Sequence, residues 1–299
     1  MLPQSTPRQT QSYLRNLFDA RGIRPKNKLG QNFLVDLNLL ELLVRSSELT
    51  REDVVLEVGS GTGGLTGLLA AQAGAVLSIE LDPAFYEMAQ EAVSDLANVR
   101  LLHADALKNK NNLNPGMMEA LEEQRLHFHC QGQKVVANLP YAVATPVISN
   151  LLLSDASFER MVVTVQWEIA ERLMAKPGTK DYSSLAVLVQ SLASVELVRQ
   201  LPPSVFWPRP KVDSAIILIK PDKAKREHVG DVIHFREFLR DLYTHRRKNL
   251  RGALAGWPGG RKDKTEVDHK LEELGLDGTV RAECLDLEDH LRLSRVFRD

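Results

Sequence analysis

The feature that most constrains the fold is Asp53-Val54-Val55-Leu56-Glu57-Val58 running without a break into Gly59-Ser60-Gly61-Thr62-Gly63-Gly64. A β-rich run ending in glycines, then a helical pattern over Leu65 to Ala73, then a second run at Val76-Leu77-Ser78-Ile79, make a βαβ unit. The alternation continues with a helix over Pro83 to Leu96, a strand over Val99 to Leu102 and a strand over Val135 to Ala137. An apolar run from Met161 to Val165, helices over 166–174 and 184–194, and a strand near Ser214 to Ile219 complete it. Strands separated by helices predict a parallel sheet covered on both faces. A helix over Leu37 to Ser46 precedes the first strand.

Other segments interrupt the pattern. Asn109 to Gln133 reads as a peripheral insertion, a loop from its NKNNLNPG start followed by a short helix at MMEALEEQ. After Lys220 the polar stretch PDKAKREHVGD reads as a linker, and nothing later reads as a strand. From His234 to Leu254 one helical stripe carries Phe235, Phe238, Leu239, Leu242, Tyr243, Leu250 and Leu254. The expected organisation is an arm or helix over 1–25, an α/β domain over 26–220, a linker over 221–230 and a helical domain over 231–299.

Composition excludes several classes. The chain is 43% hydrophobic and 26% charged, enough apolar residue for a substantial core. No apolar run approaches the ~20 residues of a membrane span. The first residues, MLPQSTPRQTQSYLRNLFDARG, lack the apolar centre of a secretory signal. Their Arg-bearing, acid-poor character leaves an organelle transit peptide open, with the cytosol as the default. Cys130 and Cys284 form no framework, which fits a reducing compartment. His127-Phe128-His129-Cys130 has ligand-type residues, but on a strand they would alternate sides and no second cluster follows, so no metal site is expected. The net charge of −1 is uninformative, whereas the cations cluster: Arg21, Arg24, Lys26 and Lys28 early, Arg246, Arg247, Lys248 and Arg251 late. Such clusters on one surface hold phosphates even in a near-neutral protein.

The chemistry concentrates at strand ends. Gly59, Gly61 and Gly64 satisfy the dinucleotide pattern, while Gly59, Gly61 and Gly63 satisfy a tighter methyltransferase one. Glu80, ending the second strand, lies where an acid grips ribose hydroxyls in either case. Asp105 ends the third strand, placed to accept from an adenine amino group, and the fourth ends in Asn138-Leu139-Pro140-Tyr141. Ligands of open α/β sheets bind outside these carboxyl ends. An exocyclic amine on a base is a poor nucleophile because its lone pair is delocalised into the ring. Two acceptors aimed at its hydrogens, the Asn138 side-chain carbonyl and the Leu139 backbone carbonyl, would favour a pyramidal nitrogen with the lone pair free. Pro140 removes a donor and biases Leu139 toward extended backbone. Tyr141 offers a ring for an unstacked base, a contact of ~1–3 kcal/mol.

These residues, in this order, resemble the ribosomal RNA adenine dimethyltransferases of the KsgA type. The resemblance rests on Asn138-Leu139-Pro140-Tyr141 with Glu57-Val58-Gly59-Ser60-Gly61 upstream, on Lys28-Leu29-Gly30-Gln31-Asn32-Phe33-Leu34-Val35-Asp36, and on Phe206-Trp207-Pro208-Arg209-Pro210-Lys211-Val212-Asp213-Ser214. His245-Arg246-Arg247-Lys248 and Arg281-Ala282-Glu283 extend it, so that it spans 26–295. It implies a Rossmann-like, seven-stranded class I S-adenosylmethionine-dependent methyltransferase sheet with a small all-α C-terminal domain. It implies S-adenosylmethionine contacts at Asn32, Leu34, Gly59, Gly61, Glu80, Asp105 and Asn138. Tyr141 and Phe206 would sandwich the target adenine, and Arg246, Arg247 and Lys248 would be first candidates for RNA contact. The implied reaction is N6,N6-dimethylation of two adjacent adenosines in the 3′-terminal hairpin of 16S rRNA, coupled to small-subunit biogenesis, by a cytoplasmic monomer. Departures occur at Ala142-Val143, where the family has Asn-Ile, at Trp167, where it has Lys, and at Ser183, where it has Gly. Two alternatives stay open: a large-subunit rRNA adenine methyltransferase of the macrolide-resistance type, and a non-catalytic ribosome-assembly or transcription factor.

Overall fold

The computed structural model describes residues 9–25, 31–257 and 263–297. Lys26 and Lys28 of the early basic cluster, and Leu29-Gly30 of the N-terminal motif, lie outside them. The chain divides into two compact units, Met1–Ala170 with Glu196–Pro221, and Glu171–Val195 with Asp222–Asp299.

The chain begins with α1 (Gln11–Arg21), capped by the Thr10 hydroxyl and closed by Gly22 at φ 64°. There follow β1 (Phe33–Leu34), α2 (Leu37–Ser46), β2 (Asp53–Val58), α3 (Gly64–Gln72), β3 (Ala75–Glu80), α4 (Pro83–Ala92) and β4 (Val99–His103). Next come a small hairpin of β5 (Leu107–Asn109) and β6 (Asn112–Leu113), then α5 (Pro115–His127), β7 (Gly132–Asn138), α6 (Ala144–Leu153) and β8 (Phe158–Gln166). After α7 (Trp167–Leu173) and α8 (Ser184–Gln190) the chain runs through β9 (Ala193–Leu201), β10 (Phe206–Trp207) and β11 (Ser214–Pro221).

Seven strands form one sheet in the order β4-β3-β2-β7-β8-β11-β9. The five from β4 to β8 are parallel, and β11 returns antiparallel to β8, with Ser214 opposite Gln166. The sheet is therefore mixed, where alternation alone predicted a parallel one. Every residue of β2 and of β3 is buried, as required of strands covered on both faces. On one face α2 and α3 bring Leu40, Leu43, Val44, Leu65 and Leu69 into a core with Val55, Val76, Val136 and Val162. Strand order reverses between β2 and β7, so the chain diverges there and leaves a crevice beyond the carboxyl ends of β2, β3, β4 and β7.

Around the sheet, two segments differ from the sequence reading for identifiable reasons. Residues 115–127 form a full crossover helix, not a peripheral insertion. Met117, Ala120 and Leu121 are buried, and the Gln124 amide donates to the Val76 carbonyl at 3.4 Å. Its start was disguised because Asn114-Pro115-Gly116, turn-like in sequence, is a cap with Pro at the first helical position; Asn114 accepts from Gly116 N–H at 3.0 Å. His127-Phe128-His129-Cys130 therefore ends a helix and is not on a strand. The helix expected over 184–194 stops at Gln190, and Ala193–Leu201 becomes the edge strand β9. Its exposed Glu196 forms an ion pair with Lys220 of β11 at 2.9 Å.

The second unit is helical. Residues read as linker carry α9 (Lys223–Val229), capped by Asp222. α10 (Val232–Thr244) buries Phe235, Phe238, Leu239 and Leu242, as its stripe predicted. The stripe does not continue as one helix, because the Asn249 side chain accepts from Gly252 N–H at 2.9 Å and starts α11 (Leu250–Ala255). α12 (Lys264–Glu273) and α13 (Leu287–Val296) follow. Among the described residues no helix is long and apolar enough to cross a membrane.

Candidate active site

Beyond the strand ends lies a cleft lined by Asn32, Leu34, Gly59, Gly61, Glu80, Asp105, Asn138 and Pro140, among others. Its floor is the glycine loop. Gly59, Gly61 and Gly63 have φ of 89°, 55° and 78°, whereas Gly64 does not need positive φ, so the tighter of the two glycine patterns is the one the backbone uses. A Cβ on Gly59 would lie 3.2 Å from the Pro140 ring, and one on Gly61 would lie 2.9 Å from Phe33 Cε1. Glycine is thus what lets this loop touch both the Asn138–Tyr141 turn and the N-terminal segment.

Glu80 is organised by backbone. One carboxylate oxygen accepts from Gly61 N–H, the other from Leu81 and Asp82 N–H, each at 2.9 Å. Burial raises its pKa, and the three N–H groups oppose that rise by favouring the ionised form. The exposed Asp105 accepts from Leu107 N–H at 2.9 Å through one carboxylate oxygen. Asn114, the cap of α5, also donates to the Asp105 backbone carbonyl at 2.8 Å, so the misread segment fixes a predicted site residue.

Asn138 ends β7, and its side-chain amide donates to the Asn32 carbonyl at 2.9 Å. Leu139 is buried beneath the turn, and Val143 N–H donates to the Pro140 carbonyl at 3.0 Å to close it. Tyr141 is half-buried, with its hydroxyl 2.6 Å from Ser214 Oγ at the start of β11. Burial raises the pKa of that phenol, which stays neutral. Neither Leu139 nor Tyr141 lines the cleft. Phe206 does not either: at 3% exposure its ring packs in the core with Leu34 and Leu40. β10, which contains it, pairs antiparallel with β1, placing Phe206 opposite Leu34. In the second unit, the Arg246 guanidinium donates to Glu283 at 2.9 Å and to the Lys180 carbonyl, while Arg247 and Lys248 are exposed.

Among the cleft residues that the sequence does not mark as site residues, Glu57, Gln9 and Leu14 stand out. Glu57 is 1% exposed. One of its oxygens accepts from Thr66 and Ser78 hydroxyls at 2.6 Å each, and the other has no hydrogen-bond partner. Burial pushes its pKa up to about 7 against those two bonds. The other two, Gln9 and Leu14, come from the N-terminal segment. Leu14 had a legible signal, its apolar partner Phe18 four residues on; a buried Gln9 had none.

The ribosomal RNA adenine dimethylase family model matches residues 22–296. The ribosomal RNA small subunit methyltransferase A of Ligilactobacillus salivarius is 38% identical over 94% of this chain and 92% of its own length. Its namesake in Geobacillus kaustophilus is 37% identical over 98% and 96%. Among solved structures, a dimethyladenosine transferase from Plasmodium falciparum superposes with a TM-score of 0.69 at 24% identity, covering 86% of this chain and 94% of that one. The 23S rRNA methyltransferase ErmE gives 0.60 at 24%, covering 88% and 98%. The two structures share the fold.

Proposed function

The chain belongs to the ribosomal RNA adenine dimethylase family, and from that premise we propose that it dimethylates the N6 amines of two adjacent adenosines in the 3′-terminal hairpin of 16S rRNA, using S-adenosylmethionine. The observation that carries this reading is the meeting of Gly59, Glu80, Asp105 and Asn138 at one cleft from four separate strand ends.

The cleft fits the cofactor. The glycine loop and Glu57 both line it, and the buried Glu57 oxygen without a partner suits an ammonium such as that of a methionine moiety. Glu80 would hold the ribose hydroxyls and the Asp105 carboxylate the adenine amino group. Asn32, Leu34 and Gly61 would complete the walls. The cofactor supplies a methyl on a sulfonium, whose departure as a neutral thioether needs neither a nucleophilic side chain nor a metal. The work left to the protein is alignment.

Asn138 and Leu139 perform that work at the target amine. With its nitrogen given to Asn32, the Asn138 side chain offers its oxygen as acceptor. The Leu139 carbonyl is the second acceptor. With the cofactor bound, these two oxygens would hold the amine hydrogens so that the nitrogen lone pair faces the methyl group, and the proton shed on transfer would pass to solvent. Tyr141, tethered by Ser214, presents the ring against which the flipped base stacks. Phe206, packed in the core in this conformation, supports the β1–β10 ledge, and a second stacking face would need it to turn out. Arg246, Arg247 and Lys248 are the proposed phosphate contacts, in a monomer working in the cytoplasm on the small subunit.

The test supplies labelled S-adenosylmethionine and unmethylated ribosomal subunits. Dimethyladenosine in small-subunit RNA is expected. Label confined to large-subunit RNA would favour the macrolide-resistance activity, and subunit binding without transfer a non-catalytic role.

A further inference from the structure

Gln9 precedes the cap of α1 in a polar stretch, yet it is only 7% exposed. Its amide donates to the Thr62 carbonyl at 2.8 Å, and its own carbonyl accepts from the Thr62 hydroxyl. A Cβ on Gly64 would lie 2.8 Å from Gln9 Oε1, so the glutamine rests directly on the start of α3. Leu14, one turn into α1, lines the same cleft. Phe18 anchors the helix behind it, its ring 5.4 Å from those of Phe33 and Phe85 and 5.2 Å from that of Trp207. The Phe33 ring in turn approaches Gly61. α1 is thereby fastened to the glycine loop through Gln9 and to the β1–β10 ledge through Phe18.

We propose that Gln9 is a positioning residue for the cofactor. It holds Thr62–Gly64, a stretch whose glycines would otherwise sample many conformations, in the arrangement that receives the ligand. With Leu14 it also walls that side of the cleft. Cofactor affinity therefore depends on α1 being docked. Glutamine suits the role because Thr62 presents an acceptor and a donor together, and an uncharged amide answers both. The inference rests on the S-adenosylmethionine reading above.

The test uses the full chain and measures the Kd of S-adenosylmethionine, its KM, kcat at saturating cofactor, and the melting temperature. Gln9→Ala is expected to raise the cofactor Kd and KM by roughly tenfold, the scale of two lost hydrogen bonds. The kcat and the KM for ribosomal subunits should stay within about twofold. Gln9→Glu, nearly isosteric, keeps the acceptor for the Thr62 hydroxyl but, when ionised, cannot donate to its carbonyl, so measured well above the carboxylate range it should also bind the cofactor more weakly. It keeps the test decisive should the alanine variant fail to fold. An unchanged cofactor Kd in either folded variant would overturn the proposal. So would a fall in kcat with unchanged KM, the mark of a smaller folded fraction. If the wild-type protein itself does not bind S-adenosylmethionine, the cofactor reading fails, an outcome distinct from failure of the role given to Gln9.

Discussion

The side-chain amide of Asn138 is hydrogen-bonded to the backbone carbonyl of Asn32 at 2.9 Å, across 106 residues of sequence. The bond settles which end of the amide faces which way, since the reverse orientation would set two oxygens against each other. Asn32 leads into β1, whose Phe33 and Leu34 pair with Trp207 and Phe206. Val35 N–H adds a bond to the Val205 carbonyl at 3.0 Å. The turn, the N-terminal segment and the Phe206 loop are therefore one hydrogen-bonded assembly around the cleft.

A side chain at Gly59 carries a double penalty. Gly59→Ala must hold φ near 89° and place its Cβ 3.2 Å from the Pro140 ring. The expected result is a stability loss of ~1–3 kcal/mol in urea, together with at least a ~10-fold rise in cofactor Kd. Gly178 is the control. It has φ 81°, but a Cβ there would meet nothing within 4 Å, so Gly178→Ala should cost about 1–2 kcal/mol and leave cofactor binding intact. Equal cofactor affinity in both variants would mean that contact with Pro140 does not matter.

The buried Glu57 gives stability a pH dependence. Its folded pKa is about 7 against an ordinary 4.5, so the folded state binds the proton more tightly. Its contribution is fully present below the ordinary value and lost as pH rises through about 7. The loss amounts to roughly 3 kcal/mol. Glu57→Gln cannot titrate, so relative to wild type it should gain most of that on going from pH 4.5 to 8 in urea unfolding without ligand. Parallel stability–pH curves for the two proteins would refute this reading of Glu57.

Far from the cleft, Lys134 and Asp53 form an ion pair at 2.8 Å with side chains 9% and 5% exposed. Lys134 also donates to the Glu48 carbonyl at 2.6 Å, and Asp53 accepts from Thr50 N–H at 2.6 Å. Lys134→Met strands the Asp53 carboxylate in the interior, which should cost about 3–5 kcal/mol. Cofactor Kd of the folded fraction should not change. A loss below 1 kcal/mol would show that the carboxylate finds water or a proton at little cost.

Much of this arrangement is legible in the sequence because its signals are local. β2 and β3 are buried on both faces and so read as largely apolar runs, and the residues just past each strand end announce the cleft. α5 was obscured because Asn-Pro-Gly serves equally as turn and as helix start. β9 was missed because an edge strand carrying Glu196 and Arg199 lacks the apolar signature of the central strands. The resemblance sets Phe206 against the target adenine, but pairing with β1 carries its ring into the core. Gln9 is invisible for another reason: a polar residue in a polar arm is buried only by tertiary contact with Thr62.

The central claim is that the Asn138 carbonyl holds the target amine beside the cofactor. Single-turnover transfer from labelled S-adenosylmethionine to unmethylated small subunits, compared for wild type and Asn138→Ala, tests it most directly. With cofactor and subunit affinities measured alongside, so that both ligands are saturating, near-wild-type subunit binding is expected with transfer slower by ~10²–10³-fold, the scale of a lost transition-state hydrogen-bond partner. Transfer within about threefold of wild type at equal occupancy would contradict it.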